Sequence, residues 1–585
     1  MSSQEPKPVP LLIARSSQTT EANKTGAWRF LKPRYNEKTA PCGVACPAGE
    51  DIGRIQMLTS QGLFKEAWET VLLENPFPGV FGRICYHPCE TVCNRGHFDE
   101  AVGIHTVERF LAHTASRYEL KPHLERLPSR KQKIAIGGAG PSGLAAAYFL
   151  ARLGYPCDLY EAMPEPGGLL RWGVPSYRLA VDALRNEIER IQQLGVRVFC
   201  SKPFGDEFIE RAEGSYDAVF LGSGAKRSRS LMVPGEDLPG VEDGNELLQK
   251  IAEGRAPALK GTIAVIGSGY AAIDAARCVV RLGASALLIY RRRREDRPAF
   301  RDEIKMALEE GVEIKYLETP LRIEADGEQY LLTLQTMEGA DIAGDSGAGP
   351  QPGKVETIRV SGIFKAAGFE AAEPWIDSPG NGEELIRLNS TVLLRTDRGL
   401  PVVFGGDLVS PFKGVVQAIA SGKEAAIVLD VLFRDGPEAV RQELDRCKVG
   451  GGRPLSMEVY MKGPRLERSP AVVRYNEINT DYFHFSPKIV LPRLLKGERI
   501  KSFAEIDLNI SANLAIREAE RCFNCGLCNQ CDNCRLFCPD LAVIRDQTPM
   551  GRSIDYDYCK GCGICVVECP RNAMSLGEEQ ESSGS

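Results

Sequence analysis

The chain has 585 residues, room for about three to five domains, which excludes a single small binding module. With 43 % hydrophobic and 26 % charged residues it has the make-up of a globular protein, not of a disordered or fibrous one. Its 72 Lys and Arg against 78 Asp and Glu leave a net charge of −6, so there is no bulk electrostatic case for nucleic acid. No run approaches the roughly 20 apolar residues of a membrane span. The apolar stretch Leu11–Ala14 is too short for a signal-peptide core, and a cytoplasmic protein is expected.

Residues 1–40 are polar and Pro-containing and read as a loosely packed arm. From Cys42 to Arg117 the pattern is helical. Within it Asp51–Leu73 reads as two amphipathic helices with Ile55, Leu58, Leu63, Ala67 and Val71 on their apolar faces. Strand, glycine turn and helix follow at Lys133–Gly137, Gly138–Gly143 and Leu144–Leu153, then strands at Cys157–Tyr160 and Tyr216–Leu221. The same pattern restarts at Thr262–Ile266, with its next strand at Ala286–Tyr290, which predicts two dinucleotide-binding βαβ units. Asp341–Lys354, rich in Gly, Asp and Pro, reads as a surface loop at a hairpin tip. Val402–Phe404 reads as a strand and Gly414–Phe433 as a helix, and Arg434–Glu520 as a mixed segment wrapping the main body.

The 19 cysteines are crowded at both ends. Dense thiols in a chain without an export signal point to metal rather than to disulfides. Cys528, Cys531, Cys534 and Cys538-Pro539 read C-x2-C-x2-C-x3-C-P, and Cys559, Cys562, Cys565 and Cys569-Pro570 repeat it. This is the two-cluster ferredoxin pattern, in which the fourth Cys of each run reaches the other cluster. It assigns Cys528, Cys531, Cys534 and Cys569 to one [4Fe–4S] and Cys559, Cys562, Cys565 and Cys538 to the second. A structural zinc site is the bland alternative, but it needs no crossed repeat with Cys-Pro endings. Cys522 and Cys525 are left over and read as structural thiols. Near the N-terminus Cys42, Cys46, Cys85, Cys89 and Cys93 suit one further cubane with one thiol to spare.

In the first βαβ unit Gly138, Gly140 and Gly143 form G-x-G-x-x-G. Their roles are a tight turn, close approach of the pyrophosphate and helix–strand packing. Glu161 ends the next strand, where an acid can take a ribose 2′-hydroxyl; the plain alternative is a surface acid. In the second unit Gly267, Gly269 and Ala272 form G-x-G-x-x-A, and the next strand ends at Tyr290 before Arg291-Arg292-Arg293-Arg294. A base in place of the acid fits a 2′-phosphate, hence NADP, with Arg291 and Arg292 as its candidates. A solvated basic turn is the competing account. Asp274, near the helix start, is accounted for by charge stabilisation there.

Gly167–Leu179 (GGLLRWGVPSYRL), Tyr216–Ala225 (YDAVFLGSGA), Phe404–Asp407 (FGGD) with Gln417–Ala420, and the N-terminal cysteine layout carry a resemblance. They resemble the glutamate synthase small subunit and the N-terminal half of dihydropyrimidine dehydrogenase over about residues 40–435. Residues 476–574 look like a ferredoxin extension found on some of these electron-transfer subunits. The resemblance implies a multidomain α/β protein. Its parts are an arm (1–40), a helical iron–sulfur domain (41–130), a Rossmann-like FAD domain (131–255 and 370–435) and an inserted NAD(P)H domain (256–369). A linking segment (436–520) and a ferredoxin-like domain (521–585) complete it.

The resemblance places FAD contacts on Gly140, Pro141, Ser142, Glu161, Gly168, Arg178 and Asp407. Nucleotide contacts fall on Gly269, Tyr270, Ala271, Arg291, Arg292, Ala366, Ala367 and Gly368. Where these proteins often show two N-terminal cysteine sets, five Cys remain here; Cys46, Cys85, Cys89 and Cys93 match the retained set and Cys42 is the spare. The family's common Gly-Gln is Gly368-Phe369 in this chain. The cofactors implied are FAD, NADP(H) and three [4Fe–4S] clusters. No nucleophilic, proton-relay or hydrolytic constellation stands out, and there are 6 His in all. The expected role is electron transfer between NAD(P)H and the clusters for a catalytic partner of glutamate synthase or 2-oxoacid oxidoreductase type, in a hetero-oligomer. A free-standing NAD(P)H:ferredoxin oxidoreductase is the alternative.

Overall fold

The computed structural model describes residues 23–205, 208–291, 293, 301–337, 350–371, 384–395, 399–546 and 551–579. The chain forms two compact units. One comprises Thr39–Tyr475 and Phe485–Asn524, the other Met1–Lys38, Asn476–His484 and Cys525–Ser585.

The larger unit begins with helices Pro41–Ala45, Ile52–Ser60, Phe64–Glu74, Pro78–Ile84, Pro88–Thr91 and Ile104–Arg117. Three of them start on proline, whose fixed φ and missing N–H suit the first helical turn. Ile55, Trp68, Val71, Leu72, Val107 and Phe110 form their shared core. The helix Ala512–Glu520, far downstream, adds Ala515 to that core. Ser511 starts this helix by accepting the Leu514 N–H.

A seven-stranded sheet follows, in the order Glu384–Arg387, Val392–Arg395, Pro401–Phe404, Ala218–Leu221, Ile134–Gly137, Cys157–Tyr160, Arg197–Phe199. From Pro401–Phe404 onward the pairings are parallel; the first three strands form an antiparallel meander. Helices Pro141–Arg152 and Val415–Arg434 pack on the sheet, and their Ala-rich faces lie close together. A second, all-parallel sheet runs Glu313–Tyr316, Ser285–Tyr290, Thr262–Ile266, Gly362–Lys365, Val241–Asp243. An antiparallel ribbon, Arg227–Ser228 with Phe369–Glu370, connects the two.

Two expectations change here. Val241–Asp243 and the following helix Gly244–Ala252 belong with the second sheet, so the insertion starts at the ribbon near residue 228 and not at 256. The hydrogen-bonding edge of Gly362–Lys365 recruits a strand that the polar segment around it does not announce. The segment Asp341–Lys354 is also not all loop. From Pro350 the chain is a strand, Pro350–Val360, paired antiparallel with Gln329–Met337; residues 341–349 lie outside the described residues.

In the smaller unit Leu31–Tyr35 pairs antiparallel with Met574–Glu578, and Val543–Arg545 with Arg552–Ile554. Short helices Asn533–Leu536 and Ile564–Val567 follow the cysteine loops. The stretch expected to be a loose arm therefore supplies an edge strand to this unit. Arg29 reinforces it through Glu579. Among the described residues no helix is long and apolar enough to cross a membrane.

Candidate cofactor sites

The loop after Ile134–Gly137 shows three different uses of glycine. Gly138 has φ +99, and a Cβ there would stand 2.7 Å from the Gly222 carbonyl oxygen. At Gly143 a Cβ would fall 1.9 Å from the Gly138 oxygen, so the helix could not dock with a side chain there. At Gly140 the nearest protein atom to such a Cβ is the Gly168 Cα, 3.9 Å away. The space in front of Gly140 is thus left by the protein at the start of helix Pro141–Arg152, which has Pro141 at its first position and no side-chain cap. Unused N–H groups at a helix N-terminus favour a phosphate. Gly168, at φ +53, closes the other side of this cradle.

Glu161 is buried, and its carboxylate accepts the N–H groups of Ala139 (2.8 Å) and Met163 (2.9 Å), fixing the glycine loop. Ser142 Oγ meets Ser421 Oγ at 3.0 Å, and Ser421 Oγ accepts the Gly406 N–H at 2.7 Å. This joins the glycine loop to the Phe404–Asp407 turn; the sequence reading missed Ser421. Burial pushes the Asp407 carboxyl above its ordinary range against the pull of Lys413. Asp407 Oδ1 and Gln417 Oε1 are both buried without a protein donor. Two orphaned acceptors beside an empty-sided glycine turn fit a dinucleotide with ribityl and ring donors, so the residues present suit FAD.

Arg178, expected among the FAD contacts, is held by charged partners of the inserted domain. Its guanidinium is paired with Asp274 (2.6 Å) and Glu303 (3.4 Å) of the inserted domain and lies over the Tyr270 ring. Tyr177 Oη donates to Asp274 Oδ1 at 3.1 Å. Asp274, read as a helix-start charge, thus anchors the loop Gly167–Leu179 to the second dinucleotide fold.

In that fold a Cβ at Gly267 would lie 2.4 Å from the Ala366 oxygen, which fixes the turn against its neighbour strand. At Gly269 nothing lies within 4 Å, and helix Tyr270–Arg281 starts there without a side-chain cap. Tyr270 and Ala271 form its half-buried first turn. Ala366 is buried and donates its N–H to the Ile266 oxygen (2.7 Å), Ala367 is half-buried, and Gly368, at φ +97, is exposed. Arg291 is exposed at the end of strand Ser285–Tyr290; Arg292 lies outside the described residues.

In the smaller unit the thiols fall into two cavities. Cys538, Cys559, Cys562 and Cys565 line one, with Pro33. Cys528, Cys531, Cys534 and Cys569 line the other, with Tyr35. The fourth Cys of each run is in the other run's cavity. Backbone N–H groups point at these sulfurs: Ala542 to Cys538 and Ala573 to Cys569, each at 3.3 Å. Tyr35 Oη lies 3.4 Å from Cys534 Sγ. Such hydrogen bonds tune cluster potentials.

In the larger unit Cys46, Cys85 and Cys89 lie close enough for their charges to act on one another, and Cys42 acts on Cys89. Burial pushes all three thiols well up. Cys93, expected as the fourth ligand, is held by the N–H groups of Val102, Arg95 and Gly96. Glu108, which the sequence does not single out, turns its carboxyl inward, and burial together with the nearby Glu50 and Glu187 pushes it well above its ordinary range. It acts on Cys46 and Cys85 and shares the Asn75 amide with Glu50. Tyr86, next to Cys85, accepts a hydrogen bond from Gln417 Nε2. The thiol loop therefore touches the helix that closes the FAD cradle.

Two nucleotide folds with open glycine turns, carried on one chain with two thiol-lined cavities, define an oxidoreductase that couples a flavin and a nicotinamide to iron–sulfur centres. Comparison with known families agrees. Residues 132–380 match the pyridine nucleotide-disulphide oxidoreductase model, 15–120 the dihydropyrimidine dehydrogenase domain II, 4Fe-4S cluster model, and 552–575 the 4Fe-4S binding domain model. The chain is 33 % identical to the NADP(+)-dependent formate dehydrogenase subunit beta of Moorella thermoacetica, over 83 % of this chain and 70 % of that one. It is 30 % identical to the NADPH-Fe(3+) oxidoreductase subunit beta of Geobacter sulfurreducens, over 84 % and 76 %. To the glutamate synthase [NADPH] small chain of Halomonas elongata it is 30 % identical, over 67 % and 88 %. The chain belongs to this family of pyridine nucleotide oxidoreductase subunits that carry 4Fe-4S domains.

Proposed function

We propose that this protein passes electrons between NADPH and iron–sulfur clusters by way of FAD, on behalf of a catalytic partner subunit. The observation that carries this reading is the Gln417–Tyr86 hydrogen bond, which joins the flavin-side helix to the loop of Cys85 and Cys89. When bound, FAD supplies the exchange between two-electron hydride chemistry and one-electron cluster chemistry. The chain's own residues bind and orient. Gly140 and Gly168 leave room for the pyrophosphate, Asp407 and Gln417 offer acceptors, and Gly269 with Ala366–Gly368 frames the NADPH turn. Three [4Fe–4S] clusters are assigned: two in the crossed cavities of the smaller unit, and one on Cys46, Cys85, Cys89 and Cys93. Thiolates in this number require a reducing compartment, which favours the cytoplasm.

The relatives are named as subunits of NADP-dependent enzymes, which supports a partner chain that holds the final substrate site. Affinity capture of the tagged chain from its own host checks this. A stoichiometric second polypeptide with oxidoreductase activity is the expected result. Capture of the chain alone, with full NADPH:ferredoxin turnover, would contradict it.

NADPH preference rests on the arginines after Tyr290. A 2′-phosphate gains charge-assisted hydrogen bonds of about 1.5–3 kcal/mol there. The double change Arg291→Ala with Arg292→Ala is expected to raise the Michaelis constant for NADPH about tenfold, since 1.4 kcal/mol is a factor of ten, while leaving NADH turnover nearly unchanged. Equal loss with both nucleotides would assign the arginines to the fold.

A further inference from the structure

The two ferredoxin runs of the smaller unit build the same turn with different residues. The second residue after each Cys-Pro is at positive φ: Leu541 (φ 52) after Cys538-Pro539, and Asn572 (φ 56) after Cys569-Pro570. The N–H of each donates to the carbonyl of its cysteine, at 3.2 and 3.4 Å, and the next residue's N–H points at the sulfur, at 3.3 Å in both. The backbone is thus shared and the side chains are not. Asparagine takes this conformation readily, and leucine takes it at a cost. Asn572 also uses its side chain within the protein, where Oδ1 accepts Lys38 Nζ at 2.6 Å. Leu541 instead is 76 % exposed. A strained apolar residue held at the surface points to a use outside the chain.

Leu541 does not stand alone. Leu536, Phe537 and Ile544 are 70, 48 and 45 % exposed in the same stretch. Arg545 Nε closes that stretch on Asp532 Oδ2 at 2.9 Å, so residues 532–545 form one loop. Asp540, Ala542 and Val543 of this loop line the cavity of Cys538, Cys559, Cys562 and Cys565. Exposed apolar groups gathered with a polar rim mark contact sites. The corresponding part of the second run is bridged by the chain itself. Asn479 Nδ2 donates to the Val567 carbonyl at 3.2 Å, Tyr482 Oη donates to Glu568, and the Arg571 guanidinium lies 5.4 Å from the Phe483 ring centroid. Segment Asn476–His484 supplies all three bridging residues. Arg535, Leu536, Phe537 and Leu541 have no such tie: among the described residues they make only backbone hydrogen bonds inside residues 532–545. The polar edge of this open loop is basic. Arg545 and Arg552 share the single carboxylate of Asp532, and Arg535 is exposed with no carboxylate partner among the described residues, in a chain whose net charge is −6.

We propose that the loop 532–545 is the docking surface for the catalytic partner subunit, which meets it with an apolar face edged by carboxylates. Electrons then pass between the two proteins at the cavity of Cys538, Cys559, Cys562 and Cys565. This rests on the partner-subunit reading above and adds where the partner sits. The apolar residues anchor it and the arginines select a complementary charge. The tagged full chain is captured from its host together with its partner, as wild type, Leu541→Asn and Arg535→Glu. Met232→Asn is the control, at another exposed apolar residue of positive φ (89 % exposed, φ 57) in the larger unit. Three quantities are read: the rate at which the partner is released into buffer, NADPH:benzyl viologen turnover, and iron content. Leu541→Asn installs the residue of the other run's turn, which suits that backbone. Its partner release is expected to be about tenfold faster, as on losing a central anchor, with iron and dye turnover at wild-type values. Arg535→Glu is expected to weaken retention most at low salt. Release at the wild-type rate from both variants overturns the docking surface and leaves the partner reading standing. Loss of iron in Leu541→Asn also overturns it, by giving the leucine a structural role. So does equal loss of the partner in Met232→Asn, and so does a second copy of this chain found in place of a different polypeptide. A wild-type chain captured alone overturns the partner reading and this proposal with it.

Discussion

Gly140→Val is expected to yield a folded protein that keeps its iron but holds no flavin. The position has extended backbone, φ −76 and ψ −178, which valine adopts without strain. The nearest protein atom to a Cβ there is 3.9 Å away, so the chain itself accommodates the side chain. The pyrophosphate does not, because its close approach needs the bare backbone. Flavin content should fall from one per chain to near zero while the circular dichroism and the C-terminal iron content stay as in the wild type. A yellow variant with normal stoichiometry would move the FAD site elsewhere. Gly143→Ala is the contrasting control. Its Cβ would meet a carbonyl at 1.9 Å, and that variant should lose the fold along with the flavin.

Lys423→Ala is expected to destabilise the larger unit by about 3–5 kcal/mol, the usual result of leaving one member of a buried ion pair alone. Lys423 lies on the flavin-side helix and is 1 % exposed, as is its partner Glu74 on helix Phe64–Glu74. The ammonium also donates to the Ala48 and Leu455 carbonyls at 2.5 and 3.2 Å. Glu74 accepts from Ser456 Oγ (2.6 Å) and the Met457 N–H (2.8 Å). One pair therefore clamps the thiol domain, the FAD domain and the segment after it. Urea titration of holoprotein checks the magnitude. The double variant Lys423→Met with Glu74→Gln should recover much of the loss, since no charge is then left buried without a counter-charge.

What the sequence disclosed follows from how local each signal is. Cys157–Tyr160 and Thr262–Ile266 are strands to the residue, because short apolar runs between turns admit few other readings. The crossed ferredoxin thiols were legible because spacing alone constrains a cubane's ligands. Leu31–Tyr35 was not legible. LKPRY carries a proline and two bases, and it becomes a strand through pairing with Met574–Glu578 at the other end of the chain. Val241–Asp243 is a strand for the same non-local reason. Glu108 and Ser421 carry no motif; their meaning comes from what burial sets beside them. Arg178 was placed by resemblance at the flavin, and the sequence did not announce its pairing with the buried Asp274 and the half-buried Glu303 of the inserted domain.

The proposed route runs within this single chain, from NADPH through flavin to its clusters. Anaerobic mixing with NADPH, followed in parallel by flavin absorbance and by freeze-quenched electron paramagnetic resonance, tests it directly. The account predicts flavin bleaching followed by reduced-cluster signals, with both absent in Gly140→Val and cluster signals weakened in Cys89→Ser. Flavin bleaching with no cluster signal at any time, in protein that holds its full iron, would contradict it.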